Sequence, residues 1–248
     1  MKILFSPSEA KHAGGAISPI TKNDYIFPDL FDKRMEIIAQ YQRYIKTASP
    51  EELAKLFGTK KDSVIDYYKD DTLLQKTMKV IERYDGVAFD YLDYATLDNG
   101  SKGYIDTNVI IFSNLFGPLL AGNNGLPEYK LKQGEKIRGM APEKFYKEEF
   151  SHALNGLLET EHYLDLRAGF YNKFYKPSSP YTTLKFIKDG KVVSHWAKAY
   201  RGIVLREIAK NNITDINAFM HMNIKNLSVI EIIEKGIHTE VIYDILEA

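Results

Sequence analysis

The segment TTLKFIKDGKVVSHW, residues 182–196, constrains the fold most. β-branched and aromatic residues flank Asp189-Gly190, a pair suited to the two consecutive positive-φ positions of a type I′ turn. The second arm is then expected to alternate, with Lys191, Val193, His195 and Ala197 on one face and Val192, Ser194, Trp196 and Lys198 on the other. A lone hairpin is marginal in water, so it must join a larger sheet. Lys2–Ser6, Val87–Phe89, 129–137, Tyr163–Leu166 and 238–246 are the strand candidates. Helical periodicity runs through 29–46, 72–84, 106–121 (broken at Gly117-Pro118) and 199–210. Ser49-Pro50-Glu51-Glu52 is a capping box with proline in the first turn, and Pro142 opens a helix to about 159. Helices and strands intermingle without a regular βαβ rhythm. The expectation is one α+β domain over 1–248, a mixed β-sheet surrounded by helices.

Several classes of chemistry are excluded or disfavoured. The chain of 248 residues has no cysteine, so disulfides, thiolate metal sites and cysteine nucleophiles are ruled out. The apolar run Ile3–Phe5 is too short for a signal peptide, and 109–122 is interrupted by Ser113, Asn114, Gly117 and Pro118. No membrane partner is expected, and a cytoplasmic monomer is the default. Glu149-x-x-His152 and Glu159-x-x-His162 have the spacing of carboxylate–histidine metal ligands. On one helix, however, ten residues amount to about 15 Å of rise and roughly 280° of rotation. Neither a metal nor a cofactor is called for.

The formal net charge is zero, but the charge is segregated. Residues 185–210 hold seven Lys/Arg against two acidic residues, whereas 211–248 hold two Lys against six. Lys198, Arg201 and Gly202 fall where the hairpin arm gives way to a helix, and no acidic residue follows until Glu207. A purely structural helix start prefers Asp or Glu, so cations there point to an anion-binding wall. FSNLFGPLL, 112–120, reads as two helical stretches around a glycine turn. Such a helix-hairpin-helix meets DNA phosphates with unpaired backbone N–H groups, here around Ser113, Asn114 and Gly117. Just downstream, Tyr129 precedes Lys130 and Lys132, which would share one side of a strand. The loop SPSEAKHAGGAISP carries Ser6 and Lys11, a hydroxyl and an amine that could serve as nucleophile and activating base.

Four islands together resemble the YaaA family of bacterial peroxide-stress proteins, also described as DUF328 or UPF0246. They are ILFSPSEAK at 3–11, GVAFDYLDY at 86–94, FSNLFGPLL…PEYKLKQG over 112–134, and KVVSHWAKAYRG at 191–202. The resemblance implies a compact α+β domain containing a helix-hairpin-helix. It also implies DNA binding and a role in limiting free iron and oxidative DNA damage during hydrogen peroxide stress. Positions that match the family pattern are Ser6, Pro7, Lys11, Ser113, Leu115, Gly117, Tyr129, Lys130, Ser194, Lys198, Arg201 and Gly202.

Two functions remain open at this level. In one, Lys130, Lys132, Lys198, Arg201 and Arg206 line a basic cleft that contacts DNA phosphates without reading sequence, with the 113–118 hairpin as anchor. In the other, Ser6, Lys11, Ser113, Tyr129, Lys198 and Arg201 converge on a small anionic or nucleotide-like ligand, or on damaged DNA. Ser6, Lys11 or Lys198 would then be the catalytic group, and a desolvated lysine would act as base or imine-forming nucleophile.

Overall fold

A computed structural model describes residues 1–16 and 20–246, with only the backbone of Ser194 and His195. The end of the first loop, 17–19, lies outside the described residues. The strands are β1 (Ile3–Phe5), β2 (Thr77–Met78), β3 (Val109–Ser113), β4 (Gly117–Leu120), β5 (Leu126–Pro127), β6 (Tyr163–Leu166), β7 (Tyr181–Lys188), β8 (Lys191–Val192), β9 (Leu227–Lys235) and β10 (His238–Ile245). The α-helices are α1 (Phe31–Thr47), α2 (Pro50–Phe57), α3 (Asp62–Tyr68), α4 (Val80–Arg83), α5 (Val87–Leu92), α6 (Asn99–Asn108), α7 (Pro142–Leu158), α8 (Ser194–Lys210) and α9 (Ile216–Met220).

The expected mixed sheet is present, in the order β4-β3-β1-β6-β7-β10-β9, with β8 pairing β7. β1, β3, β6, β7 and β10 run parallel, while β4, β8 and β9 pair antiparallel. Ile3, Leu4 and Phe5 of β1 sit between β3 and β6 and are buried on both faces, as central parallel strands require. A two-stranded β2-β5 pair stands apart.

Local signals explain the elements that the sequence anticipates. Ser49 Oγ accepts the Glu52 N–H (3.2 Å) and the Glu52 carboxylate accepts the Ser49 N–H (2.7 Å), closing the capping box of α2. Gly58 ends that helix at φ 65°. The hairpin turn has φ 51° at Asp189 and 72° at Gly190, as a type I′ turn needs. Its second arm is shorter than expected, because only Lys191 and Val192 pair with β7. Residues 194–198 begin α8 rather than alternate on a strand.

The main correction concerns 106–121. Helix α6 stops at Asn108, and the rest is a β-hairpin, β3-β4, not a helix-hairpin-helix. The apolar run VIIF is buried throughout, and an uninterrupted apolar run fits a central strand as well as a helix. The turn is built into the core. Ser113 Oγ accepts the Phe116 N–H (2.9 Å), and Tyr146 Oη donates to the Leu115 carbonyl (2.7 Å). Buried Arg34 donates to the carbonyls of Phe116 and Pro118. Gly117, at φ 68°, lies under the Tyr146 ring, where a Cβ would overlap it.

Three further expectations change. Residues 72–84 divide into a 3-10 turn at Thr72–Leu74, β2 and α4. Val87–Phe89 form α5, not a strand, because packing against α8 overrides their β-propensity. Residues 129–137 form no strand; this segment is held by Tyr41 Oη donating to the Lys130 carbonyl (2.7 Å) and Lys132 N–H donating to Leu56 (2.9 Å).

Candidate functional site

The site is organised by strand ends. The chain crosses from β3 on one side of β1 to β6 on the other, a topological switch point whose carboxyl ends leave a crevice. Ser6 follows β1 directly, and its Oγ accepts the N–H of Ala168, just beyond β6 (2.8 Å). The exit of β6 is fixed by Arg167. It makes two charge-assisted hydrogen bonds to Asp165 (2.8 and 2.7 Å), donates to the carbonyls of Tyr171 and Tyr175, and stacks over Phe112.

Helices α5 and α8 form the facing wall. Gly202 lies against the Ala88 carbonyl, and any side chain there would drive the two backbones apart. Arg206 closes the far end of α5, donating to the carbonyls of Leu92 and Asp93 (both 2.8 Å) and to Thr96 Oγ1. This close crossing turns Lys198 and Arg201, one helical turn apart, into a cavity of about 530 Å³. The remaining wall mixes polar groups (Ser6, Ser8, Glu9, Gln133) with apolar ones such as Phe89 and Leu166. Glu9 Oε1 accepts the Gln133 N–H (2.9 Å), tying the first loop to the segment after β5.

Among the described residues the Arg201 guanidinium has no hydrogen-bond or ion-pair partner. Burial pulls its pKa down, and the nearby Asp165 charge opposes that pull. Asp165 itself is engaged by Arg167. Arginine remains charged at any physiological pH, so Arg201 is a desolvated positive charge facing an open cavity. Lys198 beside it is exposed. The pair is suited to a phosphate or carboxylate.

Lys11 stands behind the Ser8–Glu9 part of this wall. Its Nζ donates to the carbonyls of Glu9 (3.3 Å) and Ser8 (3.5 Å) and lies 4.0 Å from the centre of the Tyr129 ring. Tyr84 flanks it at 5.4 Å. No carboxylate forms an ion pair with it among the described residues. Desolvation, followed by the Lys130 charge, lowers its pKa to about 7.

The predicted residues therefore sort into three places. Ser6, Lys198 and Arg201 line the cavity, and Lys11 is behind its wall. Ser113, Asn114, Gly117 and Tyr129 are buried and occupied. Tyr129 Oη bonds Ser113 Oγ (2.7 Å), and Asn114 joins Tyr171 Oη to the Leu131 carbonyl. They support the site from inside, as Gly202 does, rather than offering free donors to a ligand. Lys130 lies over the Tyr68 ring (5.8 Å), and Lys132 pairs with Glu135 on a different surface beside Gly58. The two lysines do not share a face with the cavity. The Ser194 side chain lies outside the described residues.

Gln133 and the α5 segment 86–89 were not among the expected site residues, and Ser8 and Glu9 were expected only as part of a first loop able to cradle an anion. They nevertheless fall within the quoted islands, and all four islands meet at this cavity or directly behind it.

Comparison with known proteins agrees with this convergence. A family model described as "Peroxide stress protein YaaA" matches residues 1–232. An uncharacterized protein of Campylobacter jejuni is 48% identical over 247 residues, covering all of both chains. A UPF0246 protein of Corynebacterium efficiens is 32% identical, covering 84% of this chain and 85% of its own. One from Corynebacterium glutamicum is 29% identical over 97% and 98%.

Proposed function

Because this chain belongs to the YaaA family of peroxide stress proteins, we propose that it acts in peroxide stress by binding DNA through the phosphate backbone at the β1/β6 cleft. The observation that carries this reading is Arg201: a desolvated guanidinium with no partner among the described residues, beside exposed Lys198 at the mouth of a cavity. A buried unpaired charge is costly, and a bound phosphate would offset that cost. The apolar wall of Val87, Phe89 and Leu166 leaves space for an unstacked base or sugar next to the phosphate. The anchor is this cleft and not the 113–118 turn, whose backbone groups are taken by Arg34, Tyr146 and Ser113. Bound in this way, the protein would shield or hold DNA at sites of oxidative damage without reading base sequence.

The test is a titration of short single- and double-stranded oligonucleotides at several salt concentrations. Affinity is expected to fall steeply between about 50 and 200 mM salt. Arg201→Ala and Lys198→Ala should each weaken binding and lower the slope of log K against log salt by about one. A salt-independent affinity, or variants that bind like the wild type, refutes the assignment.

A further inference from the structure

The sheet ends in an open edge. β9 is the last strand in the order, paired with β10 on one side and with no strand on the other among the described residues. Residues 228–235 are exposed apart from a half-buried Ile233, so neither face of the strand is covered. The edge is nonetheless rich in aliphatic side chains. Val229 is 44% exposed, Ile230 53% and Ile232 47%, and Ile237 in the turn to β10 is 45% exposed. A long apolar edge is a template for pairing with another chain unless a proline, a bulge or a charge blunts it. β9 carries a bulge at Ile230, which the register with β10 skips between Val229 and Glu231. Beyond the bulge, Glu231–Lys235 runs regularly against β10 and holds neither proline nor glycine.

We propose that this edge pairs with β9 of a second copy, antiparallel about a two-fold axis at Ile233, joining two sheets into one. Such a dimer departs from the monomer expected by default, and the contact is independent of what the cleft binds. A two-fold normal to a sheet leaves each face on its own side. Opposed residues therefore have the same parity, and the axis passes through a residue. The regular segment offers Glu231, Ile232, Ile233 and Glu234 as centres. An axis at Glu231 or Glu234 sets a carboxylate against its own copy, the like-charge arrangement that destabilises a cross-strand pair. An axis at Ile232 sets Glu231 opposite Ile233, and drives Glu234 and Lys235 against Ile230 and Val229 at the bulge.

Only the axis at Ile233 matches opposite charges. It places Glu231 of each copy opposite Lys235 of the other, Ile232 opposite Glu234, and Ile233 opposite itself. It uses the regular segment alone and carries the exposed Ile237 of each copy toward Val229 and Ile230 of the other. Within one chain neither Glu231 nor Lys235 has an ion-pair partner among the described residues. An isologous contact of this kind closes at two copies, because it consumes the free edge of both. The two-fold reverses strand direction, so the dimer presents two β1/β6 clefts at opposite ends of one continuous sheet. The paired segment is short, which places the interface in the weak, concentration-dependent class.

The test is sedimentation velocity of the full chain from about 1 to about 200 µM, a range suited to a weak interface. The mass is expected to rise from 28.4 kDa toward twice that value. Hydrogen exchange at residues 231–235 should slow over the same range. Glu231→Lys and Lys235→Glu each turn two attractive pairs into two repulsive ones, and each should raise the dimer Kd by about tenfold. The double variant restores opposite charges at both pairs, and so does an equimolar mixture of the two single variants. Both should associate like the wild type. These side chains are exposed, and recovery in the double variant separates lost pairing from lost folding. A wild type that stays monomeric throughout overturns the proposal and leaves the edge to an extended segment of another protein. A dimer indifferent to the single variants, or one that the double variant does not recover, overturns it too. Growth into larger species with concentration does the same, since a closed contact stops at two.

Discussion

Lys11 and Arg201 are both cations without a carboxylate partner among the described residues, and burial acts on them differently. Arg201 stays charged, so its desolvation is a standing cost that an anion relieves. Lys11 can shed its proton, and its pKa of about 7 lies below the unfolded value. Between about pH 7 and pH 10 the unfolded chain therefore binds more protons at this position than the folded one, and the linkage slope is positive. Raising pH across that window should stabilise the wild type relative to Lys11→Met, whose side chain carries no proton to lose. Urea unfolding midpoints of the two proteins at pH 6, 8 and 10 check this, and a gap that does not change with pH refutes it. At this scale the sequence was informative where a residue's chemistry is local. Ser6, Lys198 and Arg201 were readable as cavity residues from a serine after a strand and cations at a helix start. The roles of Glu9 and Gln133 were not, because their contact joins loops more than a hundred residues apart.

Elements with local stop and start chemistry were legible: α2 from its capping box, α7 from Pro142, the β7-β8 hairpin from Asp189-Gly190. Those whose identity depends on burial were not. The VIIF run of β3 carries no period to separate strand from helix, and β9 was missed because its two faces are largely exposed. The α5–α8 crossing is the element-level feature on which the cleft depends. Gly202→Ala places a methyl against the Ala88 carbonyl and must separate the helices. It should cost about 1–3 kcal/mol in stability and weaken oligonucleotide binding, since Lys198 and Arg201 ride on α8. Chemical unfolding and the same titration would detect both effects. Unchanged affinity in a folded Gly202→Ala protein would show that the crossing does not set the cleft.

For the molecule as a whole, the neutral total conceals a directional charge distribution. The acidic segment 211–248 supplies α9, the edge strand β9 and its inner neighbour β10, while Lys198 and Arg201 face the β1/β6 crevice, from which β10 and β9 are separated by β7. A polyanion approaching this molecule meets repulsion at one side and attraction at the other, which orients its encounter. The strand order behind this arrangement was beyond the sequence, because no local pattern states which strands become neighbours.

That order has a further consequence, in time rather than in space. β1 is a central strand, yet its partners are residues 109–111 on one side and 164–166 on the other. On the ribosome, Ile3, Leu4 and Phe5 precede both partners: one edge can pair only after β3 has been made, and the other only after β6. Closure over such separations is slow, and refolding is expected on the order of milliseconds to seconds rather than microseconds. In pulse-labelling hydrogen exchange, β1 and β6 amides should gain protection in one phase, no earlier than the amides of α1 and α7. Protection of β1 ahead of β6 would contradict this. Until that phase, a nascent chain carries an apolar strand with at least one edge free, the exposure that holding chaperones recognise and that aggregation exploits.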